Sequence, residues 1–352
     1  MEEYEELRAD HYASLESRVY LTLPEATKSR KKIDFVACPP APKPLQLGEH
    51  IVTKTLEEVV PFIDWNPFFQ TWELRGRYPN RGFPKIFNDE KVGSEAKKLY
   101  DDALAMMADV MKNKSLQLKG IVGLYPANTV GYEDVEVYTD DNRTEVAARF
   151  CMLRQQLEKD TDNAEYFSQA DFVAPKETGV PDYLGMFAVS CFGCDAEAAR
   201  HQANEDDFSK IMIQALADRF VEAFAEAVHK DIRTTLWGYA PDESLSEEDL
   251  LKIKYQGIRP AAGYPSQPDH TEKSTMWNLM KVAEKTGIEL SESLSMMPAS
   301  SVSALVFAHS DSQYFAVGSI AKDQVVDYAS RKNKDLDYME RWLSPILGYD
   351  RV

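Results

Sequence analysis

The stretch DFSKIMIQALADRFVEAFAEAVHKDIRTTLW, residues 207–237, restricts the fold more than any other segment. Phe208, Met212, Leu216, Phe220, Ala223, Phe224 and Ala227 recur at spacings of three and four, so the stretch reads as one long helix buried along that face. A helix of this length needs a broad apolar partner layer. Asp218, Glu222 and Glu226 fall at i, i+4 and i+8, stacking carboxylates along a ridge flanked by alanines. Such a ridge is ordinarily just the solvated side of the helix.

The partner layer is legible on both sides of this helix. VGSEAKKLYDDALAMMADVMKNK (92–114) has helical periodicity, and GIVGLYP, VEVYT and AARFCML follow it as strand-like runs. VSALVFA and YFAVGSI flank the turn-rich HSDSQ and predict a hairpin, with closing helices around Lys322–Lys332 and Asp337–Leu347. No steady strand–helix–strand rhythm appears, so the expected class is α+β: a mainly antiparallel twisted sheet with surrounding helices. CPPAPKP (38–44) reads as an extended connector within a small, charged, helical N-terminal portion. Residues 1–90 are therefore expected to form that portion and connector, and 91–352 the α+β core, together one unit.

At 352 residues, 44% apolar, the chain can bury a large core. Its net charge of −18 repels phosphate backbones and anionic lipid headgroups, so neither nucleic acid nor membrane is an expected partner. The N-terminus lacks the apolar centre of a signal peptide, and no run approaches about 18 apolar residues, which predicts a cytoplasmic protein. Four cysteines are too few for a disulfide scaffold. Cys191 and Cys194 form a CxxC with no second ligand pair, so packing thiols are expected rather than a metal site. Glycine-rich phosphate loops of the dinucleotide or Walker type are absent.

The least ordinary segment is GIRPAAGYPSQPDHTEK, residues 257–273. Arg259 and Tyr264 each precede a proline, Pro260 and Pro265, and are pushed into extended geometry. Ala261, Ala262 and Gly263 leave the backbone nearly bare, and Gly263 permits positive φ. One arginine on a stiff, small-residue loop suits a clamp for a carboxylate or phosphate, although a structural ion pair would use the same residue. Asp269 and Glu272 are expected to cap a helix over HTEKSTMWNLMKVAEKTG, with His270 a structural residue at that cap. Asp64 lies among Ile63, Trp65, Phe68, Phe69 and Trp72, an acid in aromatic surroundings that either meets a ligand or caps a short helix through Pro67.

Taken together, IDWNPFFQTWELRGRYPNRGFPKIF, LRQQLEKD, DFVAP, DYLGMFAVSCFG, ALADRFVEAFAE, YQGIRPAAGYPSQPDHTEK, YFAVG and RWLSPILGYD resemble, in that order, the activation domain of cobalamin-dependent methionine synthase. The resemblance runs along essentially the whole chain. It implies a site for S-adenosylmethionine used in repair: oxidised cob(II)alamin, carried by another module of the enzyme, takes an electron from flavodoxin or a diflavin reductase and is remethylated to methylcobalamin. It places ligand contacts on Asp64, Arg259, Tyr314 and Phe315, with Glu222 and the Ala261, Gly263, Tyr264 and Pro265 backbone close by, and implies neither a catalytic residue nor a bound metal in this chain.

The ligand's carboxylate, ammonium, sulfonium and adenine call for a guanidinium, carboxylates and a flat surface, which these residue types supply. Tyr314 and Phe315, consecutive on the expected strand, would point to opposite faces, so at least one acts through backbone or packing. Tyr264 is expected at the mouth of the site. The homocysteine, folate and cobalamin modules are not in this sequence, so the expectation is a piece of a larger enzyme. The CxxC has no counterpart in the family pattern, and Asn80–Phe87 is longer than in some members. Two rival readings are an S-adenosylmethionine-sensing interaction module without methyl transfer, and an unrelated small-molecule methyltransferase, disfavoured by the missing glycine motif.

Overall fold

A computed structural model describes residues 18–351. The charged opening stretch, 1–17, lies outside the described residues. In chain order the principal elements are α1 (Leu23–Lys28), β1 (Gly48–Lys54), α2 (Asn66–Thr71), α3 (Gly93–Asn113), β2 (Gln117–Val130), β3 (Asp134–Tyr138), β4 (Val146–Cys151), β5 (Asp182–Phe192), α4 (Cys194–Ala203) and α5 (Asp207–Asp231). There follow α6 (Glu272–Met280), β6 (Glu289–Leu290), β7 (Met296–Met297), β8 (Ser301–Val306), α7 (Lys322–Arg331) and α8 (Leu336–Trp342).

Every strand pairing is antiparallel, and the class is α+β as expected. Strand β2 organises the six-stranded sheet. One of its edges carries β5 along nearly its whole length; the other is shared, β1 pairing with its first half and β3 with its second. β8 pairs with the far side of β5 and ends the sheet. Helices α3 and α5 cover one face, where Phe220, Phe224, Val228 and Leu216 pack against Leu124, Phe187 and Val306. α6 covers the other face, placing Met276, Trp277 and Met280 on Ile121, Leu184 and Leu305. Among the described residues no helix is long and apolar enough to cross a membrane.

Several expectations need correction. The N-terminal portion is not purely helical: β1 belongs to the main sheet, and Trp65, Phe68 and Phe69 enter the same core as α3 and α5. The long helix ends at Asp231 and continues as one wider π-turn, Ile232–Leu236, which buries Trp237 and lets its Nε1 donate to Pro42 O at 2.8 Å. Phe208 is 47% exposed, because it sits in the first turn of α5, beyond the sheet, with Trp72 as its aromatic neighbour.

The predicted hairpin does not form either. Residues 314–319 are irregular, since the outer edge of β8 is already taken at its C-terminal end by Ile258 and Pro260. Nor is Asp269–Glu272 a reciprocal cap. Asp269 accepts from Thr271 N at 2.8 Å, whereas Glu272 turns to Lys332, a buried ion pair that holds α6 to the end of α7. The expected continuous helix breaks at Lys281, whose φ is +51°.

Candidate functional site

The loop 257–267 is held at both ends by main-chain hydrogen bonds to distant parts of the chain. Ile258 and Phe307 exchange N–H···O bonds of 2.9 and 3.0 Å, and Leu305 N donates to Pro260 O at 3.0 Å. At the other end Val317 N donates to Pro265 O at 2.8 Å. Between them a tight turn closes through Gly263 N to Gln267 O, 2.7 Å, and Gln267 N to Tyr264 O, 2.9 Å. Gly263 is required there twice over: its φ is +95°, and a Cβ would lie 2.0 Å from His270 Cε1. The two prolines stiffen what these bonds fix.

This loop forms one wall of a cavity of about 580 Å³. Arg259, Pro260, Ala261, Ala262, Tyr264, Pro265 and Ser266 supply that wall; Tyr314, Phe315 and Ala316 supply a second. The third is β8 at Ser301–Ala304, backed by Phe187 and Met296, with Glu222 of α5 on the rim. The cavity lies where Ser301–Ala304 has strand partners on its β5 side, while the loop that covers the C-terminal end of the opposite edge peels away. Unpaired main-chain groups on such an edge accept and donate hydrogen bonds readily.

Arg259 dominates the electrostatics. Its backbone N donates to the Tyr314 hydroxyl at 2.9 Å, and its Nη2 donates to Glu226 Oε2 at 2.6 Å. Nη1 is buried and, among the described residues, has no partner. Burial works against its charge, but Glu226, Tyr255, Tyr314 and Glu222 outweigh this and hold the guanidinium protonated above its ordinary range. Behind it lies His229, fully buried, pushed well below its usual pKa by burial and by Arg259 and Arg233, and hence neutral. Arg233 is bound by Glu243 through two bonds of 2.6 and 2.7 Å and stacks 4.1 Å over the Tyr255 ring.

Most residues singled out from the sequence converge here. Arg259, Ala261, Tyr264, Pro265, Glu222, Tyr314 and Phe315 line the cavity, and Tyr264, 63% exposed, stands at its mouth. Gly263 shapes the loop without lining the cavity. Asp64 lies outside the wall; its Oδ1 accepts from Asn66 N at 2.9 Å and Asn66 Nδ2 at 2.8 Å, at the start of α2. The carboxylate ridge is not merely solvated: Asp218 accepts from Ser300 Oγ, Glu222 reaches the cavity and Glu226 takes Arg259.

Tyr314 and Phe315 are not on a strand, so the expected alternation does not apply, and both line the cavity. The tyrosine hydroxyl binds the loop, while the Phe315 ring packs against Phe167 at 5.7 Å and Phe172 at 6.2 Å. The β8 wall escaped sequence reading; its signal was the run of small residues in SVSA.

Two other groups invite chemistry and decline it. Cys191 and Cys194 are buried free thiols, Cys194 pushed up to about 11 by burial, which leaves them inert packing groups. Cys38, His309 and Asp311 offer ligand atoms within 4.8 Å of one another. Both His309 ring nitrogens are occupied, however, Nδ1 accepting from Asp311 N at 3.0 Å and Nε2 donating to Cys38 O at 3.1 Å, so the cluster works as a clasp between connector and loop. The segment 80–87 borders a separate cavity of about 500 Å³ with Arg75 and Gln70.

Fold and site thus define an α+β domain with a cavity at the outer edge of an antiparallel sheet, walled in part by a half-buried arginine. Residues 55–333 match the family described as the activation domain of vitamin B12 dependent methionine synthase, and the chain belongs to that family. Its structure is similar to the crystal structure of a MetH reactivation domain bound to AdoHcy, with 47% sequence identity and a TM-score of 0.90. The similarity covers 94% of this chain and 99% of that one.

Proposed function

We propose that the chain binds S-adenosylmethionine in the Arg259 cavity and supports reductive methylation of a cobalamin carried by another module of methionine synthase, a methyltransferase. The observation that carries this reading is the state of Arg259. Among the described residues its guanidinium makes one hydrogen bond, to Glu226, and Nη1 is buried without a partner, although the side chain is only 20% exposed and lines a cavity. A buried guanidinium nitrogen without a partner is costly unless something arrives to use it. An α-carboxylate does so, bidentately.

The other walls suit the rest of the molecule. Glu222 places negative charge near the ammonium and sulfonium, and the β8 edge with Phe315 offers a flat surface and main-chain groups to an adenine. Asp64 is retained as a contact on the family resemblance alone. AdoHcy in the similar reactivation domain, the product left when S-adenosylmethionine gives up its methyl group, supports the same assignment. S-adenosylmethionine, when bound, supplies a methyl group on a positively charged sulfur; sulfur keeps the bonding pair and becomes a neutral thioether. The required electron comes from flavodoxin or a diflavin reductase, and the expected compartment is the cytoplasm. This chain's residues bind and orient the methyl donor, and none is assigned a bond-making step.

Calorimetric titration tests the site. Arg259→Ala is expected to cost about 2–3 kcal/mol of S-adenosylmethionine binding with the fold intact; unchanged affinity removes the carboxylate clamp. Adding a cobalamin module and reductant tests the rest: binding without formation of methylcobalamin would leave a sensing module.

A further inference from the structure

Glu226 lies one helical turn beyond Glu222 on α5, yet it does not line the cavity. It is 12% exposed, it holds Arg259 by the single Nη2–Oε2 contact of 2.6 Å, and its other oxygen is buried without a partner among the described residues. The remaining neighbours of the guanidinium cannot replace it. Neutral His229 is buried, Arg233 carries the same charge and is bound to Glu243, and Tyr255 offers only its ring and hydroxyl. Glu222 attracts Arg259 from farther away without a hydrogen bond to it. Among the described residues, then, Glu226 alone bonds the side chain of the arginine on which ligand recognition depends.

We infer that Glu226 is the positioning residue for carboxylate recognition: it fixes the Arg259 guanidinium before the ligand arrives, through one contact that leaves the other donors open. An arginine side chain has large rotamer entropy when free. Freezing it during folding spares the ligand that cost, which is the general route by which preorganisation raises affinity. A second effect runs in the same direction. Without Glu226 a mostly buried guanidinium would keep only the weaker attraction of Glu222, and it would be drawn toward solvent and away from the cavity wall. The inference rests on the proposed function, because it presupposes a ligand whose carboxylate meets Arg259.

The test uses three probes on the full chain: S-adenosylhomocysteine, its analogue lacking the carboxylate, 5′-deoxy-5′-(3-aminopropylthio)adenosine, and its analogue lacking the ammonium, 5′-deoxy-5′-(3-carboxypropylthio)adenosine. Glu226→Gln is expected to weaken binding about tenfold for the two carboxylate-bearing probes and less than about twofold for the decarboxylated one. Glu226→Asp keeps the charge and withdraws it by one methylene, so it should show the same pattern with a smaller loss, and it serves if the glutamine variant folds poorly. Equal losses for all three probes would reduce Glu226 to a structural role. A loss confined to ammonium-bearing probes would make it a direct ligand contact, and no loss at all would also overturn the inference. If the wild-type chain binds none of the three, the proposed function falls first and this inference with it.

Discussion

At the scale of single residues, Gly263 shows how a position outside the cavity governs it. Its φ of +95° is one that side-chain-bearing residues rarely adopt, and a methyl group there would overlap the His270 ring. Gly263→Ala should therefore shift the loop, destabilising the protein by about 1–3 kcal/mol from the dihedral alone and weakening ligand binding more than tenfold. Thermal melts and titration check both. Adding His270→Ala relieves the overlap but not the dihedral, so recovery should be partial; full recovery would show that φ is not the constraint. Arg259 and the bare Ala–Ala–Gly backbone were readable from the chain because proline and glycine act locally on their own neighbours. Glu226 was not readable as a partner. Whether a carboxylate on a helix ridge meets water or an arginine 33 residues away depends on a crossing that sequence spacing does not encode.

Among the elements, α5 followed from periodicity, and the GIVGLYP run marked a strand within β2 without giving its full length, Gln117–Val130. The missing hairpin has one cause: competition for the outer edge of β8. YFAVGSI has the composition of a strand, but Ile258 and Pro260 reach that edge and leave it without a free partner. The π-turn at the end of α5 was equally hidden, because its use is to swing Trp237 under the connector. Trp237→Phe keeps a ring in the core and removes the donor to Pro42 O. It should cost about 1–2 kcal/mol, part from the carbonyl left without its N–H and part from lost volume. Urea denaturation with an unchanged slope would measure it; a midpoint equal to wild type would mean the connector is held by other contacts.

For the molecule as a whole, the expected division at residue 90 has a direct test. β1 pairs with β2 over seven register positions, and Leu56, Val59, Trp65, Phe68 and Phe69 are buried in the core shared with α3 and α5. Burial of five such side chains contributes roughly 7–15 kcal/mol at about 1.5–3 kcal/mol each. That is comparable to the entire stability of an ordinary domain, about 5–15 kcal/mol. A chain beginning at residue 91 should accordingly fail to fold: far-UV dichroism without cooperative melting, and little soluble yield. A cooperative transition from that fragment would show residues 91–352 to be self-sufficient. Arg154, fully buried, ties the same regions from the other side through Glu133 and Asp171, and Glu133 in turn accepts from Thr27.

The cavity wall at 260–265 carries mostly small or cyclic side chains and is pinned through its carbonyls to the amides of Leu305 and Val317. Such a wall sets unusual terms for inheritance. Exchanging the methyl groups of Ala261 or Ala262 for other small side chains leaves its pattern of donors and acceptors unchanged, so lineages can drift at these letters while keeping the same molecular imprint. Adding or deleting one residue between the anchors displaces every donor and acceptor at once. Descendants of this domain should thus vary here by replacement and scarcely ever by length.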